Sequence, residues 1–277
     1  MSIPQCPRVV VTGGAGGLGR AFCLALAQRR ARILIADRDF TAAGETGRLV
    51  NESGGTAHVV TCDVAKSAEV DGLLALADEY LGGVDLLINN AGVAVGGPVG
   101  EVPLPDWEWI MGINLWGVIY GCHAFVPRFK AQRSGHILNV ASAAGLLSAP
   151  EMAPYNVTKA GVVALSETLS GELREHGVGV TVLCPTFFQT NILASSRRTQ
   201  APDGVESVVA ARMAQSKLQA DGVARAALKG CDRGALYVVP MTDGKWAWRM
   251  KRLAPERYHA MMPKLLAAMR AKAARMG

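Results

Sequence analysis

The chain has no CxxC pair and no clustered histidines, and nowhere does it run to about 18 consecutive apolar residues. Its six cysteines, Cys6, Cys23, Cys62, Cys122, Cys184 and Cys231, are scattered. That spacing argues against a zinc site or a disulfide framework, so no metal is expected. Most of these cysteines sit in apolar runs and read as small core residues in a reducing cytoplasm. No basic region precedes the first apolar stretch, which ends at Val11, so no signal peptide is expected. There is no internal repeat and no low-complexity linker. One sign of charge is nearly missing at the end of the chain: residues 245–277 hold nine Lys or Arg against the single acid Glu256. The whole chain carries +6, so the body before this tail is close to neutral and slightly acidic. Such a body offers no electrostatic case for binding nucleic acid.

What is present is an alternation. Short apolar, β-branched runs at 8–12, 32–36, 57–61, 84–89, 135–141, 178–183 and 236–239 read as seven strands. Helical patterns over 18–29, 40–52, 68–80, the region 107–126 and 155–175 separate them. Apolar strands alternating with helices predict an α/β fold, a doubly wound parallel sheet covered on both faces. At 277 residues this is one domain over 1–240. It carries an insertion at about 186–218 and an extension over 241–277.

The first strand runs into Thr12-Gly13-Gly14-Ala15-Gly16-Gly17-Leu18-Gly19. A glycine-rich turn between strand and helix lets backbone approach a pyrophosphate, and the helix start supplies free N–H groups. Two registers fit: Gly14-x-Gly16-x-x-Gly19, and the wider Thr12-Gly13-x-x-x-Gly17-x-Gly19. Either alone is weak evidence, because a tight turn can also need glycines. Asp37 ends the second strand, where a carboxylate accepts hydrogen bonds from ribose hydroxyls and repels a 2′-phosphate. That favours NAD over NADP. The neighbouring Arg38 pulls the other way, because it can pair with a 2′-phosphate.

Tyr155 and Lys159 are four residues apart at the start of a long helix, which places both on one face. Ser142 follows the fifth strand, at the carboxyl edge where such sheets present their sites. A phenol is a poor base near neutral pH, but a nearby ammonium and a cationic nicotinamide both favour phenolate. Ser142 is suited to hydrogen-bond a substrate oxygen. The trio suggests proton transfer at an alcohol or ketone carbon.

With these motifs in order, the chain resembles the short-chain dehydrogenase/reductase family, of the compact single-domain branch with a Rossmann-type sheet. The resemblance spans about residues 8–240. It rests on the wider glycine pattern, Asp63-Val64, Asn89-Asn90-Ala91-Gly92, Asn114, Ser142, Tyr155-x-x-x-Lys159 and Pro185. It implies that Gly13, Gly17, Leu18 and Gly19 form the phosphate turn and that Asp63 and Val64 meet the adenine. Asn90, Ala91 and Gly92 would border the cofactor. Lys159 would bind the nicotinamide ribose and lower the pKa of Tyr155, and Asn114 would hold a water that relays protons from Lys159. Pro185 and Thr190 would flank the nicotinamide. One departure is Pro185-Thr186 where the family usually has Pro-Gly, which bears on pocket shape and not on the proton relay. The resemblance also implies a homo-dimer or homo-tetramer, built through the long helices containing Asn114 and Tyr155.

The expected activity is interconversion of a secondary alcohol and a ketone, the substrate being small and lipophilic. Two alternatives are weighed against it. Isomerase or dehydratase chemistry belongs to relatives with a larger C-terminal substrate domain, for which the residues after Pro185 are too few. A silent NAD-binding sensor or scaffold should have lost Tyr155, Lys159 or Ser142. Phe187, Phe188, Ile192 and Leu193 fit a pocket wall or simple packing equally. Trp107 and Trp109 read as packing or subunit contacts, and His123, His136 and His176 as structural or solvated. In the tail, Met261, Met262, Leu265, Leu266, Met269, Ala273 and Met276 recur at helical spacing among basic residues, after Trp246 and Trp248. This amphipathic pattern suits a helix packed on the body or on a neighbouring subunit, or one touching an anionic membrane surface. Packing is favoured, because most apolar stripes are core, and the tail is expected to border the substrate entrance.

Overall fold

The computed structural model describes residues 3–190, 192, 196–198 and 205–273. Leu193 and Met276 lie outside these, and Leu265, Leu266, Met269 and Ala273 lie outside the described side chains. The chain begins β1 (Arg8–Thr12), α1 (Gly17–Ala27), β2 (Arg32–Asp37), α2 (Phe40–Glu52), β3 (Thr56–Thr61), α3 (Ser67–Leu81) and β4 (Leu86–Asn89). After α4 (Leu104–Met111) and α5 (Gly117–Gln132) come β5 (His136–Val140), α6 (Ala143–Leu147), α7 (Ala153–Leu173) and β6 (Gly179–Leu183). The last part holds α8 (Val205–Ala214), α9 (Ala220–Asp232), β7 (Tyr237–Val238), α10 (Thr242–Leu253) and α11 (Pro255–Ala273). The main sheet is seven-stranded and parallel, in the order β3-β2-β1-β4-β5-β6-β7.

The strand centres are apolar because both faces are covered, and successive side chains point to opposite faces. Val9, Val11, Ile33, Ile35 and Ile88 pack with α1 and α9. Val10, Leu34, Leu87 and Ile137 pack on the other face with α3, α5 and α7. Between the clusters runs a buried amide ladder. Asn89 pairs with Asn139 across the β4–β5 register, and the Asn89 Nδ2 donates to Asn139 Oδ1 at 2.9 Å. Asn139 Nδ2 in turn donates to Ser166 Oγ on α7 at 3.0 Å. Buried amides paired in this way penalise any slip of register, although Asn89 Oδ1 itself has no partner among the described residues.

Two features depart from the sequence reading. The helix expected around 107–126 is interrupted by a π turn, Gly112–Trp116, that carries the fully buried Asn114. Such turns leave no signature in residue periodicity and cluster at functional sites. Helix α9 was not anticipated. Its buried face includes Val223, Ala224, Ala227, Leu228 and Cys231. By length and composition the helical stretch Leu104–Gln132 would suffice to cross a membrane. In the fold it packs against α3 and α7, with Ile110, Asn114, Phe125 and Phe129 buried and Leu104 and Trp116 exposed.

His136 lies on β5 with its Nε2 2.8 Å from Thr181 Oγ1. Burial pushes its pKa down from 6.5 to about 4. Above pH 6.5 the imidazole is neutral folded and unfolded alike, so it has no effect on the balance. As pH falls from 6.5 toward 4, only the unfolded chain gains the proton and stability drops, by about 3 kcal/mol at the limit. Replacing His136 by Gln is expected to remove most of that acid sensitivity. Chemical denaturation at pH 7 and pH 5 checks this, and an unchanged pH dependence refutes it.

The tail docks on the body through α10 and the start of α11. Met261 is exposed and Met262 half-buried. Trp246 is exposed, whereas Trp248 stacks on Tyr237 with ring centroids 4.9 Å apart. Among the described residues of the tail, Met241, Gly244 and Tyr258 are buried.

Candidate active site

The glycine turn is built by contacts that exclude side chains. A Cβ on Gly13 would lie 2.7 Å from Ala91 Cα, and one on Gly19 would lie 2.0 Å from the Gly13 carbonyl oxygen. Gly17 differs: its φ is +51° and nothing lies within 4 Å, so it faces open space. Gly16 caps α1 without a side-chain hydrogen bond, and no acid occupies the first turn. The N–H groups at this helix start are therefore left for an anion. Leu18 is buried and anchors the helix start in the core. Asp37 reaches back to the turn, its Oδ2 accepting from Ala15 N at 2.9 Å and its Oδ1 from Asp39 N at 3.0 Å. Arg38 is exposed beside it.

The same edge is closed by the ends of β3 and β4. Asp63 Oδ1 accepts from Ala65 N at 3.1 Å, while Val64 is buried against Gly117 of α5. Asn90 Nδ2 donates to the carbonyls of Thr12 and Gly13, each at 2.9 Å. Thr12 Oγ1 accepts from the backbone N–H groups of Asn90 and Ala91 at 3.0 and 3.2 Å. These bonds lock the β1 turn to the β4 turn. Gly13, Gly17, Leu18, Gly19, Asp37, Asp63, Val64, Asn90 and Ala91 thus lie along one edge of the sheet. The turn's open face and donor-rich helix start fit a dinucleotide phosphate.

Ser142, Tyr155 and Lys159 are brought together beyond β5. Ser142 is the N-cap of α6, its Oγ accepting from Ala144 N at 3.1 Å. Lys159 is buried, donates from Nζ to the Val140 carbonyl at 2.9 Å, and lies 5.8 Å from the Tyr155 ring centroid. A Cβ added at Gly92 would stand 3.3 Å from Asn114 Oδ1 and 3.5 Å from Lys159 Nζ, so all three residues meet there. The Asn114 amide is committed to Val93, accepting from its N and donating to its O at 2.8 Å each. Burial pushes the Tyr155 phenol up, and a hydrogen bond from Ser142 opposes that. Burial also pulls the Lys159 ammonium down to about 8. In this geometry the Ser142 hydrogen bond opposes the burial shift on Tyr155. Pro185 is buried and its carbonyl accepts from Ala143 N at 2.8 Å, joining the β6 exit to the Ser142 loop. Thr190 Oγ1 accepts from Ile192 N at 3.2 Å.

Sequence reasoning passed over one part of this site. Tyr155, Trp107, Trp109 and Ile113 pack on a separate small cluster of Val93, Val95, Val102 and Ile110. Arg197 lies over the Trp109 ring at 4.0 Å and pairs with Asp106 at 2.9 Å. Only the alternating Val93 and Val95 after the Asn-Ala-Gly turn hint at it in sequence. Phe188 packs in the core near α1 and α9, while Phe187 is exposed.

The model for the short chain dehydrogenase family matches residues 7–201, and the chain belongs to that family. A solved short chain dehydrogenase/reductase from Burkholderia phymatum, in complex with NAD, superposes with a TM-score of 0.83 at 34% identity, covering 90% of this chain and 93% of that one. The C alpha-dehydrogenase of Sphingobium sp. strain SYK-6 is 33% identical over 84% of this chain and 80% of that protein. The CLA biosynthesis dehydrogenase/reductase of Lactiplantibacillus plantarum is 38% identical over 66% of this chain, which spans 65% of that protein's length. The chain is thus an oxidoreductase of the short-chain dehydrogenase class.

Proposed function

We propose that the protein interconverts a secondary alcohol and a ketone, with NAD as the redox partner and Tyr155 as the proton acid/base. The observation that carries this is the convergence of Ser142, Tyr155 and Lys159 beside a phosphate-ready glycine turn on one sheet edge. NAD bound there supplies the acceptor or donor of the hydride. The pyrophosphate is held by the N–H groups at the start of α1, with Gly13, Gly17, Leu18 and Gly19 shaping the turn. Asp37 holds the adenosine ribose, Asp63 and Val64 the adenine, and Asn90, Ala91 and Gly92 the groove floor. Lys159 holds the second ribose, with Pro185 and Thr190 on the nicotinamide side. Tyr155 takes the hydroxyl proton in oxidation and returns it in reduction, while Ser142 steadies the substrate oxygen. Asn114 keeps Lys159 next to a proton path. The apolar cluster under Tyr155, walled by Trp107 and Trp109, supports a lipophilic substrate.

A panel of secondary alcohols of rising size, followed by absorbance of the reduced nicotinamide with NAD and with NADP, tests this. Lack of turnover of every alcohol with either cofactor, and of the matching ketones with the reduced forms, refutes it. We also infer a homo-oligomer closed through α5 and α7. Trp116, stacked on Tyr120, and Val157 are each about half exposed on this side. A Trp116→Glu change is expected to shift the mass measured by light scattering toward the monomer. An unchanged mass moves the interface elsewhere. The five buried, unpaired thiols suit a reducing compartment such as the cytoplasm.

A further inference from the structure

The segment joining Ser142 to Tyr155 is strained. Ser148 and Glu151 have φ of +55° and +62°, in the left-handed region that favours glycine. Each such residue costs of order 1–2 kcal/mol and persists only where its surroundings hold it. The short helix α6 inside this segment also ends with carbonyls that have no helical partner. The tail supplies the missing partners. Lys251 of α10 donates from Nζ to the Leu146 carbonyl at 2.9 Å and reaches Ser148 Oγ at 3.2 Å. Tyr258 of α11 donates its hydroxyl to the Leu147 carbonyl at 3.1 Å and is itself buried.

A second contact lies on the other side of the site. Thr186, which stands where the family usually has glycine, donates from Oγ1 to Asp243 Oδ1 at 3.1 Å. The same carboxylate oxygen accepts from Gly244 N at 2.7 Å at the start of α10. Gly244 has no room for a side chain, since a Cβ there would lie 2.7 Å from Thr186 Cγ2. The threonine is thus one half of a joint whose other half is the tail. The two gripped loops are also bonded to each other through Ala143 N and the Pro185 carbonyl.

From this we infer that α10 and the first turn of α11 are a brace that spans the loops leaving β5 and β6, with Lys251, Tyr258 and Asp243 acting as positioning residues for Ser142. The geometry reaches the chemistry in two steps. The brace fixes the end of α6, and α6 fixes its N-cap Ser142 and presses Gly145 onto Lys159. A Cβ on Gly145 would be 2.5 Å from the Lys159 carbonyl, so α6 cannot shift without disturbing that turn of α7. The inference rests on the oxidoreductase reading for its effect on rate, but not for its effect on the loop.

Two measurements therefore go together, on Lys251→Met, Tyr258→Phe, Lys251→Arg and the exposed control Trp246→Ala. Hydrogen exchange of the backbone amides at 143–152 is expected to quicken about tenfold in Lys251→Met and Tyr258→Phe, with NAD affinity and thermal unfolding near wild type. In turnover, kcat should fall about tenfold with KM for the alcohol changed much less, because Ser142 acts on the developing alkoxide. Lys251→Arg should recover most of the rate, since it still donates to the α6 carbonyls, and Trp246→Ala should leave it unchanged. Exchange at 143–152 equal to wild type in both variants overturns the brace. So does faster exchange with unaltered kcat, or a rate loss that Lys251→Arg fails to recover. If the wild type turns over no alcohol or ketone, the oxidoreductase reading fails, and the exchange result still decides whether the tail holds the loop.

Discussion

Tyr155→Phe is expected to lower kcat by about 10²- to 10⁴-fold, the usual range for loss of a positioned general acid/base. The substitution removes one oxygen and little else. The ring still packs on Val93, Val95, Val102 and Ile110, and Lys159 still donates to the Val140 carbonyl. NAD affinity, read by quenching of protein fluorescence, should stay within about threefold, since the change costs no cofactor contact worth more than about 0.7 kcal/mol. Oxidation by the wild type should climb with pH, because only the phenolate accepts a proton, and ketone reduction should decline over the same range. Burial raises the Tyr155 pKa and the Ser142 hydrogen bond lowers it. Ser142→Ala should therefore move the rise in oxidation to higher pH as well as reduce its height. Retention of a tenth or more of wild-type kcat in Tyr155→Phe would remove Tyr155 from the proton path.

The parts of this molecule legible in its sequence are those set by short-range rules. The bounds of α2 and β1 coincide with the apolar periodicity, and the glycine turn lies where strand gives way to helix. Helix α9 was missed although its two sides contrast, with Val223, Ala224, Ala227, Leu228 and Cys231 buried opposite a polar side. The π turn at Asn114 was missed because the stretch around it is apolar on exposed and buried sides alike, with Leu104 and Trp116 exposed, so its periodicity has no clear phase to break. In the site, residue identities were readable but their couplings were not. Nothing in the spacing of Tyr155 and Lys159 says that Ser142 is the group opposing the burial shift on the phenol. Thr186 looked like an isolated departure until Asp243 was found bonded to it. The tail's anchors were hidden for a similar reason. A stripe of Met and Leu dominates its pattern, yet among the described residues Asp243, Lys251 and Tyr258 hydrogen-bond to the body.

Asp37→Ala is expected to cut the preference for NAD over NADP by about 10- to 100-fold in the ratio of kcat/KM values. Hydrogen bonds to a charged group are worth roughly 1.5–3 kcal/mol each, and each 1.4 kcal/mol is a factor of ten. A carboxylate accepts at about four lone-pair positions, and two of those at Asp37 are taken by Ala15 N and Asp39 N. The remaining two suit a vicinal pair of ribose hydroxyls. With a 2′-phosphate in that place, one acceptor meets another and the like charges repel. The substitution also frees Ala15 N within the glycine turn, which should weaken both cofactors alike. The absolute rates therefore mix two effects, whereas the ratio isolates the ribose end. Asp37→Asn separates them further, because it keeps an oxygen for Ala15 N while removing the charge. It should hold more NAD activity than Asp37→Ala and still gain relative activity with NADP. Arg38 is exposed one residue away and should become the partner of the 2′-phosphate, so adding Arg38→Ala to Asp37→Ala should reverse much of the NADP gain. A wild-type enzyme that works better with NADP, or a ratio unmoved by Asp37→Ala, would reverse the role assigned to this carboxylate.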